Sequence, residues 1–201
     1  MPTSPCRLSC VAGSGSPINR VAAAWIWLVG AAVYLVCEAI AAARFAGYSY
    51  VHDYISDLGV SAVMNVGFMV HGSLFLLGAV VIARGCPSGW GRRAFVVAAA
   101  ANALGNVLVG AFRSGNHWHV VGAGLAIVGG NVAVIVAGVA RRRRWSVVLG
   151  VVGLSCLLAL VLDGSRNVPA GLVERGSVYS IIVWEIAMGA VLLRRARCSR
   201  R

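Results

Sequence analysis

The stretch HWHVVGAGLAIVGGNVAVIVAGVARRRRWSVVLGVVGLSCLLALVLD, residues 117–163, decides the fold. It holds two apolar runs, 119–140 and 145–162, with only Arg141, Arg142, Arg143 and Arg144 between them. Each run is close to the roughly 20 residues that cross the hydrocarbon of a bilayer. Neither has the polar face that a helix on a soluble protein turns to water. In hydrocarbon every backbone amide must be satisfied within its own segment, so both runs are predicted to be helices. A turn made of arginine alone then marks the cytoplasmic side. Four more apolar segments of similar length follow the same logic, at about 21–43, 64–84, 93–112 and 177–193.

Composition agrees. Of 201 residues, 59% are hydrophobic and 12% charged, and the mean hydropathy is +0.82. Soluble domains are roughly 45–50% apolar and about 25% charged, so too few charges are present to clothe a water-soluble surface. The net charge of +12 comes from arginine only, since the chain has no lysine. On a soluble domain that excess would suggest nucleic acid. Here it sits in short loops and tails, so no nucleic-acid partner is expected.

Fourteen arginines fall on one side: Arg7 and Arg20 before the first span, Arg84, Arg92 and Arg93 between the second and third, Arg141 to Arg144, and Arg194, Arg195, Arg197, Arg200 and Arg201 at the end. Arg44, Arg113, Arg166 and Arg175 fall on the other. The positive-inside rule therefore predicts an all-α, polytopic integral membrane bundle of six transmembrane helices with N- and C-termini cytoplasmic. Residues 1–20, rich in Ser, Pro and Gly, read as a disordered tail. Residues 21–193 form the membrane domain and 194–201 a basic tail. The first span is long for the apolar core of a cleaved leader, and Glu38 stands just before the candidate cleavage run Ala41–Ala43, so it is read as retained. The expected location is the cell membrane.

The acids are sorted the opposite way. Asp53, Asp57, Asp163 and Glu174 lie in outer segments, Glu38 in the outer part of the first span, and only Glu185 is deep. His52, His117 and His119 are also outside, and His71 lies within the second span. The longest outer segment, RFAGYSYVHDYISDLGVSAV (44–63), is too polar to span. Its pairs Asp53/Asp57 and His52/Ser56 are four apart and would share a face of a short interfacial helix, which Gly59 would end. The functional reading is a re-entrant or interfacial element that carries a polar site; the bland alternative is an ordinary loop helix with Asp57 as a local hydrogen-bond acceptor.

ISDLG at 55–59 ahead of an apolar helix, His119 after a short polar loop, and GLVER at 171–175 opening a last helix that carries Trp184 together resemble an uncharacterised prokaryotic membrane family, the domain of unknown function numbered 998. The resemblance runs from about residue 22 to 193. It implies a six-helix membrane protein without an established activity.

Charges inside a bilayer mark candidate sites, because they are costly unless paired. Glu185 should face the bundle interior, with His71, Asn102 or Asn106 as partner. Glu38, His52, Asp57, Arg113, His119, Arg166, Glu174, Arg175 and Glu185 are the candidate pocket residues. In the leading expectation they line a polar pocket open to the outer leaflet, where arginines hold the head group of a lipid or amphiphile. Internal ion pairing among the same groups is the structural alternative. A membrane hydrolase is the second reading, with His117, His119 and Asp57 or Asp163 as base or metal ligands. The six cysteines show no metal-ligand spacing, so no metal or other cofactor is expected. A scaffold or accessory subunit is the third reading. A proton-coupled transporter ranks below these, because no long inverted repeat is present.

Overall fold

A computed structural model describes residues 17–163 and 169–198. Arg7, Cys6, Cys10, Arg166, Arg200 and Arg201 lie outside the described residues. Six helices follow in order: α1 Pro17–Arg44, α2 Ala62–Arg84, α3 Trp90–Ala111, α4 His117–Ala140, α5 Arg144–Asp163 and α6 Ala170–Cys198. All six are long and apolar enough to cross a membrane. Apolar side chains such as Val36, Leu77, Val97, Val128, Val152 and Val183 stay exposed on the flanks, where lipid would meet them.

Two boundaries differ from expectation. Helix α1 begins at Pro17 rather than 21, a position where proline's missing amide hydrogen costs nothing. Helix α6 runs through the arginines expected in the tail and ends at Cys198. At 29 residues it is about 44 Å long, more than the roughly 30 Å of hydrocarbon, so its basic end projects beyond the apolar layer.

Each helix packs on its neighbours in sequence, and α6 returns against α1, so the six close into a ring. The closest pair is α3 with α4. A Cβ added at Gly129 would lie 2.6 Å from the Asn102 backbone nitrogen, and one at Gly122 would lie 2.6 Å from Leu108 Cβ. Lipid removes the hydrophobic drive for helices to associate, so such close approaches and buried hydrogen bonds hold them together. Asn102 Nδ2 donates to Ala126 O of α4 at 2.7 Å. Asn131 Nδ2 of α4 donates to Ser177 O of α6 at 2.9 Å, while its oxygen accepts from Ser180 Oγ at 2.8 Å. Trp184 Nε1 donates to Ser146 Oγ of α5 at 2.7 Å, and that hydroxyl donates on to Val134 O of α4.

The segment between α1 and α2 does not place Asp53 and Asp57 on one face of a short helix; of the two expectations it is nearer the loop helix with Asp57 as a local acceptor. It is an irregular loop followed by a short 3-10 helix, Ile55–Val60, that packs against α1, α2, α3 and α6 and caps one end of the ring. The reason is local: Asp57 Oδ2 accepts from Tyr54 N at 3.1 Å, and Asp53 Oδ2 accepts from Ser49 N at 2.7 Å. Each carboxylate closes its own turn, so the two never share a helical face. The capped end carries most of the acids and is called the acidic end below. Pro17, Cys198 and the four-arginine turn lie at the opposite, basic end.

Candidate functional site

At the acidic end the charged groups tie one another down. The Arg175 guanidinium is buried beneath the α1–α2 loop, with Nε and Nη2 donating to Glu38 Oε1 at 3.0 and 2.9 Å. Nη2 also donates to Tyr48 Oη at 2.7 Å, and Nη1 reaches the carbonyls of Tyr50, Gly171 and Asp53 at 2.7, 3.0 and 3.2 Å. All five N–H donors of the side chain are thus engaged. The Tyr50 ring lies 4.5 Å from the guanidinium carbon and adds a cation–π contact. The other oxygen of Glu38 accepts from Tyr179 Oη at 2.9 Å. Burial pushes the Tyr48 phenol up to about 12, although its bond to Arg175 acts the other way. Glu174 accepts from the Ile55 backbone amide and so pins the start of the 3-10 helix to α6.

The remaining outer candidates do not join this knot. His52 and Arg113 are exposed. Asp57 accepts from Ser114 Oγ at 3.3 Å and otherwise caps its own turn. His119 is buried with Nδ1 2.7 Å from Phe112 O; since a carbonyl only accepts, Nδ1 carries the hydrogen and Nε2 is left without a partner. Among the described residues no three His, Cys, Asp or Glu side chains gather as a metal-ion group.

Halfway along the bundle, Glu185 is paired with His71, Oε2 to Nε2 at 2.8 Å. Of the partners the sequence offered, the histidine on α2 is the one the fold supplies. Both groups are sealed from solvent, at 0% and 2% exposure. The pair sits at the seam between two apolar clusters, one around Tyr34, Phe68 and Ile182 and one around Phe75, Trp27, Trp184 and Met188. Glu185 Oε1 and His71 Nδ1 have no protein partner. On the acidic side of the seam lies a narrow cavity of about 40 Å³, lined by His71, Tyr34, Ser56, Asn102, Asn106 and Glu174 among others. Of the candidate set, Glu174 alone among the described residues lines it.

A larger pocket opens at the basic end, where the sequence had marked only topology. Its volume is about 370 Å³. Trp27, Phe95 and Trp184 line it as apolar surface, and Ile82, Val136 and Ala137 continue that wall. Both indoles have already spent their N–H groups, Trp27 on Phe75 O and Trp184 on Ser146 Oγ, so they offer ring faces. Arg92 and Arg141 are the charged residues in the lining, and no acid is among them. Arg141 is partly buried, and among the described residues no carboxylate pairs with it. Its Nη1 lies 4.0 Å from the Met188 sulfur, a weak acceptor. Burial pushes its pKa down, the Cys86 thiol hydrogen-bonded to it acts the other way, and the like charges of Arg195 and Arg20 add to the lowering.

A six-span helical membrane protein with an ion-paired cap at one end and a cationic apolar pocket at the other is the class these features define. The chain belongs to the family described as protein of unknown function (DUF998), whose profile matches residues 28–191. No match was found among the curated proteins or among the solved structures.

The sequence missed the tyrosines of the knot and the pocket altogether. Tyr179 had a signal, since it lies four residues after Arg175 on α6 and so on the same face. For the pocket there was only the pairing of an indole in the first span with one in the last.

Proposed function

We propose that this protein binds an anionic lipid or amphiphile of the cell membrane, with the head group at the basic end and the chain in the pocket over Trp27 and Trp184. The observation that carries the reading is Arg141. A guanidinium held partly out of water, beside other arginines and without a carboxylate, is a site that lacks its anion. A phosphate or carboxylate would take bidentate hydrogen bonds from it. The apolar wall suits an acyl or prenyl chain, and a pocket of about 370 Å³ falls in the range that small ligands occupy. On the positive-inside rule this end faces the cytoplasm, so the ligand would come from the inner leaflet.

The acidic end supports this reading less well than the sequence suggested. A head group there would have to displace Glu38, Tyr48 or three backbone carbonyls from Arg175. The hydrolase reading lacks support on the same ground, because His52 is exposed, His119 is committed to Phe112 O, and Asp57 closes its own turn.

Native mass spectrometry of the purified protein tests the proposal, with phosphatidylglycerol and phosphatidylcholine offered as competing probes. Phosphatidylglycerol should be retained selectively, and Arg141→Gln should weaken that retention about tenfold to hundredfold, the worth of one charge-assisted contact. Equal retention of both lipids by the unaltered protein, or no change in Arg141→Gln, would overturn it.

A further inference from the structure

The proposal concerns the pair at the seam and does not depend on the basic-end pocket. We infer that His71 and Glu185 form a proton-loading site, fed from the acidic end through a water held in the cavity beside His71.

The geometry carries this in three steps. First, the pair is incomplete. Glu185 and His71 satisfy each other through one atom apiece, and each leaves its second polar atom buried and bare. A buried polar group with no partner is costly, and in native proteins it usually signals a water, an ion or a working role. Second, the cavity of about 40 Å³ that His71 lines exceeds the 10–15 Å³ or so that one water needs. Its wall is polar where a water would need it to be, with Ser56, Asn102, Asn106 and Glu174 among the lining residues. Third, the titratable groups around the pair are few. From α1 the titratable side chain facing the pair is Tyr34, whose ring packs edge-on at 5.0 Å from the imidazole. Helix α6 contributes Glu185 and, at the outer side of the cavity, Glu174. The 3-10 helix contributes Ser56, α3 the two asparagines, and α4 only Ala123, Ala126 and Ile127.

The step balances without another reactant. With Glu185 ionised and His71 neutral, Nε2–H donates to Oε2 and Nδ1 presents a lone pair. A hydronium at the cavity gives its proton to Nδ1 and becomes water. Nε2 gives its proton to Oε2, leaving a carboxylic acid hydrogen-bonded to the other imidazole tautomer. One proton has entered and one has moved from imidazole to carboxylate, along the Nε2–Oε2 contact that measures 2.8 Å in this structure. Toward the basic end the aromatic stack of Phe75, Trp27 and Trp184 lies beyond the pair, so the proton is stored and not passed through.

Infrared spectroscopy of the full chain in lipid nanodiscs reads this directly. The carbonyl stretch of a protonated carboxyl should appear as pH falls and shift on transfer to heavy water, and Glu185→Gln should remove it. Ala123→Leu, which fills the cavity and leaves both members of the pair in place, should keep the band but slow its deuterium shift about a hundredfold, the lower range of what a positioned proton-transfer path contributes. Absence of the band at every pH would overturn the proposal. So would a deuterium shift as fast in Ala123→Leu as in the unaltered protein. If Glu185→Gln does not fold, the cavity-filling variant still decides the matter.

Discussion

Arg175 and Arg141 are the same residue at opposite ends of one bundle, and their surroundings assign them opposite work. Arg175 has a partner for every N–H, and Glu38, which faces it, is bound on its second oxygen by Tyr179. Arg141 has two sulfur neighbours, the Met188 thioether and the Cys86 thiol, and like-charged arginines around it. Residue type therefore does not tell a fully engaged arginine from a loosely partnered one; the count of satisfied donors does. The acidic end is a finished structure that closes the ring of helices between α1 and α6. The basic end leaves Arg141 without a carboxylate among the described residues.

Removing one side of the finished end should have the largest effect. Glu38→Ala leaves a buried guanidinium unpaired and should destabilise the protein by about 3–5 kcal/mol, read as a fall in unfolding temperature in detergent. The double variant Glu38→Leu with Arg175→Met should recover only part of this. The carbonyls of Tyr50, Gly171 and Asp53 would lose their shared donor. A full recovery would mean that the knot is a simple ion pair and that the contrast between the ends is overstated.

The seam pair sharpens that test, because it has no such secondary partners. Glu185→Ala orphans His71 and should cost about 1–3 kcal/mol. Here the double variant His71→Phe with Glu185→Leu should return close to the original stability, since replacing both halves of a buried pair by apolar groups of similar shape is nearly neutral. Thermal unfolding of the two singles and the double forms the cycle that measures it.

How much of this the sequence carried follows from what each signal encodes. The six spans were legible because length and apolarity are set residue by residue, and the fold adds only a few residues at Pro17 and through Arg194–Cys198. The inward face of α6 was legible too, since Glu174 and Glu185 are eleven apart and both are buried. The grouping of the nine candidate residues was not. Sorting them to one end says nothing about which loop folds over which helix, and it is the path of 45–54 that delivers Tyr48, Tyr50 and the Asp53 carbonyl to Arg175. Asn131, Ser146 and Ser180 drew no notice, because a lone amide or hydroxyl in an apolar run has no pattern. The basic-end pocket was invisible for a deeper reason. It is space left between helices, and periodicity encodes which face is buried, not how far apart two buried faces stand.

A smaller effect is expected at the ISDLG turn. Asp57→Ala removes the carboxylate that accepts from Tyr54 N and should cost about 1 kcal/mol, as for the loss of a helix cap. Asp57→Asn keeps an oxygen acceptor and should lose a few tenths. If both variants instead abolish a biological phenotype while stability holds, the acidic end has work beyond closing the ring. The finished-against-unfinished distinction would then fail at its stronger pole.

The smallest effect on stability should come from Arg141→Gln, and its sign is the point. A group that stabilises the folded state must have better partners there than in water. Arg141 loses hydration on folding and gains only sulfur partners, Met188 and Cys86, so removing its charge takes away little that is favourable. The expected change in the lipid-free protein is within about 0.5 kcal/mol, and toward greater stability. With phosphatidylglycerol present the order should reverse, because a ligand bound only to the folded state adds stability in proportion to its occupancy. Unfolding temperatures of both proteins with and without that lipid give four numbers. Their pattern separates an arginine that holds the helices from one that waits for an anion: loss of stability in the lipid-free variant would place Arg141 alongside Arg175, as architecture.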